Sequence, residues 1–331
     1  MEENKNRIEI LDYLRGFALI GILLVNILFL LKINSPSPNS FDASYQRFLY
    51  LFVEGRFYTI FSFLFGVGFY IFIKRAQEKH SNAYVLFIRR LVVLAVMGCI
   101  HLMFNHDEAL TLYAIFGIFL LPFYKVKKHI NLILALLGVF FVSFLGMKLP
   151  FPYFLLGLTA GQYRIFENIS ENKWRYTIFT IIAFVLSMVG LWFQYIHLPL
   201  KPFNLMRQTA DDVRPFIKIG ITIGPIISAC YMGFLILLLQ WAWVQKLLSP
   251  LKYYGRMALT NYISQTALVL IFGYYLQLIG DISYSQSLFL CIDIYVLQLL
   301  FSMMWLRFFR MGPLEWIWRI CTYWKLIPIK K

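Results

Sequence analysis

Apolar side chains fill this 331-residue chain in runs of about 16 to 25, the length at which an α-helix crosses the ~30 Å hydrocarbon core of a bilayer. Runs inside soluble domains are shorter, and a membrane β-barrel would show short strands of alternating hydrophobicity. Composition agrees: 60% of residues are hydrophobic, 19% aromatic and only 14% charged, with a mean hydropathy of +0.68. An average soluble domain carries about 25% charged residues. The expected fold is all-α, a polytopic bundle of about ten transmembrane helices in a single integral membrane domain covering residues 1–331.

The spans fall at roughly residues 14–33, 57–74, 90–105, 109–124, 130–148, 151–164, 177–197, 216–242, 257–280 and 284–307. The sixth is short and begins at Pro150 and Pro152, which suits a tilted or re-entrant piece. Lys and Arg concentrate on alternate loops, for example Lys74, Arg75, Lys79, Arg89 and Arg90 together, so the positive-inside rule places both termini in the cytoplasm of a bacterial cell, with the chain multi-pass in its plasma membrane. The first run follows Lys5, Arg7 and Arg15 as a signal peptide would. No small-residue cleavage site follows it, and it is expected to remain as the first span.

The net charge of +15 is spread over short loops rather than gathered on a folded basic face, which argues against a nucleic-acid partner and for membrane lipids. Cys99, Cys230, Cys291 and Cys321 stand singly, HExxH and paired-Asp motifs are missing, and no metal is expected. Residues 42–56 mix aromatic and charged side chains, fitting a helix on the outer surface or a lid. The carboxyl tail, with Trp316, Trp318 and Trp324 among basic residues, reads as an anchor on an anionic leaflet.

Polar side chains at membrane depth are expensive and therefore mark candidate sites. Asp12 and Arg15 share one helix face, and Asn26, eleven residues on, lies on the same stripe about 16 Å further along the helix. His101, about ten residues into the third span and near the depth of Asn26, could act as a general base. The turn Asn105-His106-Asp107-Glu108 follows it, and then Thr111 and Tyr113. The bland readings are an ion pair at a helix end, a packing histidine and a solvated hairpin. Gly66-Val67-Gly68 is too short for a nucleotide loop and suits close helix packing, while Asn261 and Gln265 lie one turn apart.

These motifs resemble the YeiB family of bacterial membrane proteins. The resemblance rests on Leu11-Asp12-Tyr13-Leu14-Arg15-Gly16 running to Asn26, Phe61 to Phe69, Arg89-Arg90-Leu91 to His101, Leu110 to Ala114, Gly255-Arg256-Met257 to Asn261-Tyr262, and Gly312-Pro313-Leu314-Glu315-Trp316 to Arg319. Through that family the chain is similar to the transmembrane acyltransferases, which include heparan-α-glucosaminide N-acetyltransferase. The resemblance implies an acyl-CoA donor, acetyl-CoA by expectation, entering from the cytoplasm, and a sugar or lipid acceptor on the outer side. Asn26 then becomes a positioning or oxyanion-type donor, and His101 is the expected base. Glu108 stands where the family has Asp, and the segment Ile33 to Phe41 lacks the histidine of the heparan-type branch.

Donor phosphates are expected at Arg89, Arg90 or Arg256. Asp12, Arg15, Arg56, Asn261 and Tyr113 complete the expected substrate and cofactor contacts, and a homodimer is compatible with this reading. The transferase reading expects a continuous polar tunnel lined by Asn26 and His101. The alternatives are a transporter or exporter of a small amphiphile, which would use the same polar groups as a midplane site, and a sensor or scaffold subunit.

Overall fold

Each of the ten apolar runs forms a helix. The computed structural model describes residues 8–79, 81–167, 169, 172–199, 201–203 and 211–331. The runs become α1 (Glu9–Leu30), α3 (Arg56–Glu78), α4 (Ala83–Leu102), α5 (Leu110–Phe119), α6 (Lys128–Leu145), α7 (Phe151–Gln162), α8 (Lys173–Ile196), α9 (Arg214–Leu238), α12 (Ala258–Tyr275) and α13 (Tyr284–Phe308). Four short helices join them: α2 (Phe41–Phe48), α10 (Ala242–Leu247), α11 (Ser249–Arg256) and α14 (Pro313–Tyr323). Among the described residues the only strand-like feature is one isolated bridge between Phe309 and Lys330.

Among the described residues seven segments are long and apolar enough to cross a membrane: α1, α2 continuing into α3, α4, α6, α8, α9 and α13. Helix α12 is 18 residues long and carries Asn261, Gln265 and Thr266. Helix α5 has 10 residues and α7 has 12, rises of about 15 and 18 Å against a ~30 Å core. Helix α7, expected to be tilted or re-entrant, lies inside the bundle, almost wholly buried and packed between α3 and α6. The outward faces of α4, α5, α6 and α8 are apolar, with Val96, Ile115, Phe140 and Trp192 all exposed, as a lipid-facing surface requires.

Two backbone contacts set the geometry. A Cβ on Gly66 would lie 1.9 Å from the carbonyl oxygen of Phe154, and one on Gly157 2.0 Å from that of Phe63, so α3 and α7 meet main chain to main chain. Gly255 and Gly16 do the same for α11 and α1, against the carbonyls of Asp12 and Leu251. Small residues permit this approach where no hydrophobic effect drives helices together.

Helix α1 runs antiparallel to α3, since Gly21 abuts Phe57 while Gly68 abuts Arg15. It runs parallel to α12, with Leu19 beside Gln265 and Leu31 beside Gly273. The segment 42–56 is tucked in rather than laid on a surface: Tyr45, Gln46, Leu49, Tyr50 and Val53 are buried, and Gln46 donates to the carbonyl of Phe203 at 2.7 Å and to the Tyr284 hydroxyl at 2.9 Å.

Replacing Gly66 by Val is expected to lower the stability of the detergent-solubilised protein by about 1–3 kcal/mol, because the added methyls have only backbone to displace. Thermal melting against wild type measures this. An unchanged midpoint would mean that α3 and α7 can separate without penalty.

Candidate active site

Helix α4 starts earlier than the apolar run suggests. The Asn82 side chain accepts from Val85 N–H at 3.5 Å, and the helix then continues through Arg89 and Arg90 instead of beginning at them. Both arginines are covered by the tail: the Arg89 guanidinium lies 3.8 Å from the Trp324 ring and that of Arg90 lies 3.7 Å from the Trp318 ring. His101 therefore sits in the last turn of α4, a correction to the mid-helix position read from the sequence.

Around His101 the chain assembles a dry polar group. Its Nδ1 faces Glu108 Oε1 at 3.6 Å, and its Nε2 is hydrogen-bonded to Thr266 Oγ1 at 2.8 Å. His101 and Thr266 are each 3% exposed and Glu108 is 5% exposed. The Tyr262 ring meets the imidazole edge-on at 5.1 Å, and its hydroxyl accepts from Ala109 N–H at 3.4 Å. Glu108 caps α5, accepting from Leu110 N–H and, at 2.8 Å, from Thr111 N–H. Burial alone would raise its carboxyl; the His101 ring and these amides outweigh burial and hold it below its ordinary value of 4.5.

The turn 103–109 is thus only half a solvated hairpin. His106 and Asp107 are exposed, as expected, whereas Asn105 and Glu108 point inward. Tyr113, one turn into α5, is buried with its hydroxyl 2.7 Å from Ser62 Oγ, ringed by Phe61, Phe65, Phe154 and Tyr58.

The other sequence candidates are distributed differently. Arg15 pairs with Asp12 at 3.1 Å and touches α3 at Gly68, one turn from Phe72, over which Arg90 also lies at 5.1 Å. These three charged residues gather at the end of the bundle remote from His101. Arg56 is buried at the opposite end of α3. It donates to the Glu54 carbonyl and to Gln194 Oε1 at 2.9 Å, while its own carbonyl accepts from Ser228, so it ties α3 to α8 and α9. Asn261 donates to the Tyr254 carbonyl at 2.9 Å and to Ser302 Oγ at 3.0 Å, and Arg256 donates to the Arg310 carbonyl at 3.1 Å. Asn26 is half-buried and makes no side-chain hydrogen bond among the described residues, to His101 or any other. No group of three or more His, Cys, Asp or Glu gathers among the described residues.

Thr266 and Tyr262 are the functional candidates missed in the sequence. Four residues apart, they form the stripe next to Asn261 and Gln265, and only the larger polar pair stood out. Glu315 was likewise only part of a motif. It accepts from Leu259 N–H at 2.7 Å and Thr260 N–H at 3.2 Å, capping the α12 helix that carries Thr266.

Residues 160–325 match the family described as a protein of unknown function, DUF418. An uncharacterised 39.9 kDa protein encoded in the amylase 3′ region of Bacillus acidopullulyticus is 54% identical over 331 residues, covering 98% of this chain and 96% of its own. The chain belongs to this family. The uncharacterised YxaH of Bacillus subtilis is 27% identical, covering 98% of the chain and 96% of itself, and YeiB of Escherichia coli is 26% identical, covering 94% and 95%. No solved structure matches. The family match includes Tyr262, Thr266 and Glu315; His101 and Glu108 lie before it, in the part spanned by the full-length relatives.

A carboxylate whose folded-state pKa lies below 4.5 adds stability that is complete above that pH and is lost as the pH falls through the folded value. Glu108→Gln is therefore expected to be about 1–3 kcal/mol less stable than wild type at neutral pH and to lose less on acidification, so the two melting curves converge below pH 4.5. Melting at stepped pH tests this, and a constant offset down the series would remove Glu108 from the pair.

Proposed function

We propose that this protein is a membrane-embedded acyltransferase in which His101 is the general base. The reading is carried by one observation: a buried hydroxyl, imidazole and carboxylate stand in line, Thr266 to His101 at 2.8 Å and His101 to Glu108 at 3.6 Å. Nδ1 makes no hydrogen bond and lies 3.6 Å from Glu108 Oε1, so a proton on Nδ1 would face the carboxylate charge and leave Nε2 to take a proton. Glu108 then stabilises the imidazolium that forms. A packing histidine needs hydrogen-bond partners but has no need of a buried carboxylate held by two amides.

The donor is an acyl-CoA, acetyl-CoA in the simplest case, entering from the cytoplasmic side where Arg15 and Arg90 gather. The acceptor is a hydroxyl or amine on an envelope sugar or lipid at the outer side. Arg90 and His101 are eleven residues apart on α4, about 16 Å of rise, a gap that suits a donor with a long pantetheine arm. The arginines supply phosphate contacts at one end and the imidazole supplies chemistry at the other. Asn26, with its amide unengaged, remains the candidate donor to a developing oxyanion.

Calorimetry of purified protein with acetyl-CoA and CoA tests the reading. Saturable binding is expected, about tenfold weaker in Arg90→Ala, which is 1.4 kcal/mol. His101→Ala should keep that binding while losing acetyl-CoA turnover by about 100-fold or more. Folded protein that binds neither compound would overturn the transferase and direct attention to transport of amphiphiles.

A further inference from the structure

Six of the described helical threonines share a habit. Thr59, Thr159, Thr177, Thr180, Thr222 and Thr322 each donate their hydroxyl to the carbonyl four residues earlier, at distances from 2.7 to 3.0 Å. That is the default for a hydroxyl in a helix without water. Three described helical threonines depart from it: Thr111 makes no such bond, Thr260 donates to Glu315 at the start of α12, and Thr266, in the middle of α12 and buried, turns away from its own helix onto His101 Nε2. In the tautomer with the ring proton on Nδ1, facing Glu108 at 3.6 Å, Thr266 is the donor in that bond. A hydroxyl donating into a base that is itself oriented by a carboxylate is the arrangement that activates an oxygen nucleophile.

We propose that Thr266 is the first acyl acceptor, and that transfer runs through a covalent acyl ester on its Oγ1. The proposal rests on the transferase reading and adds an intermediate to it. In the first half, His101 Nε2 takes the hydroxyl proton while Oγ1 attacks the thioester carbonyl. The tetrahedral adduct collapses with cleavage of the C–S bond, and the imidazolium returns its proton to the departing sulfur, releasing CoA as the thiol. In the second half, the acceptor hydroxyl or amine loses its proton to Nε2 and attacks the ester carbonyl. Oγ1 leaves and regains its proton from His101. The sum is thioester plus acceptor giving acylated acceptor plus CoA thiol, with no change of oxidation state.

This division suits a site reached from two sides of a membrane. Donor and acceptor need not meet, because the acyl group waits on a fixed residue between them. The Tyr262 ring, edge-on to the imidazole, and the cap on α5 hold His101 in place for both halves.

The test uses isotopically labelled CoA and unlabelled acetyl-CoA with no acceptor, since only a covalent intermediate allows the label to pass between them. Wild type and Thr266→Ser are expected to exchange label, and acid-quenched protein to carry an acetyl ester on the peptide holding residue 266. Thr266→Val keeps the shape but leaves Nε2 unpartnered, so it should fold with a lower melting midpoint, bind CoA equally, and lose exchange by about 100-fold or more. Wild type that turns over acetyl-CoA without exchange, or Thr266→Val that exchanges within about threefold of wild type, overturns the carrier and leaves the transferase standing. Wild type that neither binds nor turns over acetyl-CoA overturns both.

Discussion

In hydrocarbon a polar side chain has no water to fall back on, and the architecture follows from where such groups find partners. The deepest set lies along one stripe of α12. Gln265 donates to the Tyr254 hydroxyl at 2.6 Å and to the Leu19 carbonyl at 3.3 Å, and Gln298 joins Tyr254, Ser264 and the Asn261 carbonyl. This seam fixes α12 against α1, α11 and α13. Neighbouring residues on a helix point about 100° apart, so locking Asn261 and Gln265 on one side aims Tyr262 and Thr266 toward α4. The line to His101 and Glu108 is a consequence of that lock.

The same two helices are tied again at their other ends. Glu315 caps the start of α12, and three residues along α14 the Trp318 indole donates to the Arg90 carbonyl of α4 at 2.8 Å. One short helix of the tail therefore sets the spacing of both helices that meet at His101. Its tryptophans also stack on Arg89 and Arg90 of α4. What read in the sequence as an anchor for a leaflet forms an internal brace.

Chemistry and packing divide the polar residues between them. Arg56, Asn261 and Gln265 hold helices together, each with its partners inside the bundle. Asp12, Arg15 and Arg90 gather at one end, and His101, Glu108 and Thr266 converge toward the other. The separation would give the proposed transfer its direction, with basic charge at one end and the buried imidazole toward the other.

The sequence alone determined that the chain is all-helical and made for a membrane, because run length and composition leave no other way to satisfy its backbone. It also placed all ten apolar helices in order, and it singled out His101 and Glu108, since an ionisable group inside an apolar run stands out against its neighbours. The apolar run bounded the third span at 90–105, whereas the helix itself begins at Ala83 behind the Asn82 cap and carries Arg89 and Arg90 within it. Thr266 went unremarked because a lone threonine in a helix ordinarily bonds to its own backbone. Whether a polar side chain is glue or chemistry depends on what stands opposite it, and partners drawn from α1, α4, α12 and α14 are brought together only by the tertiary fold.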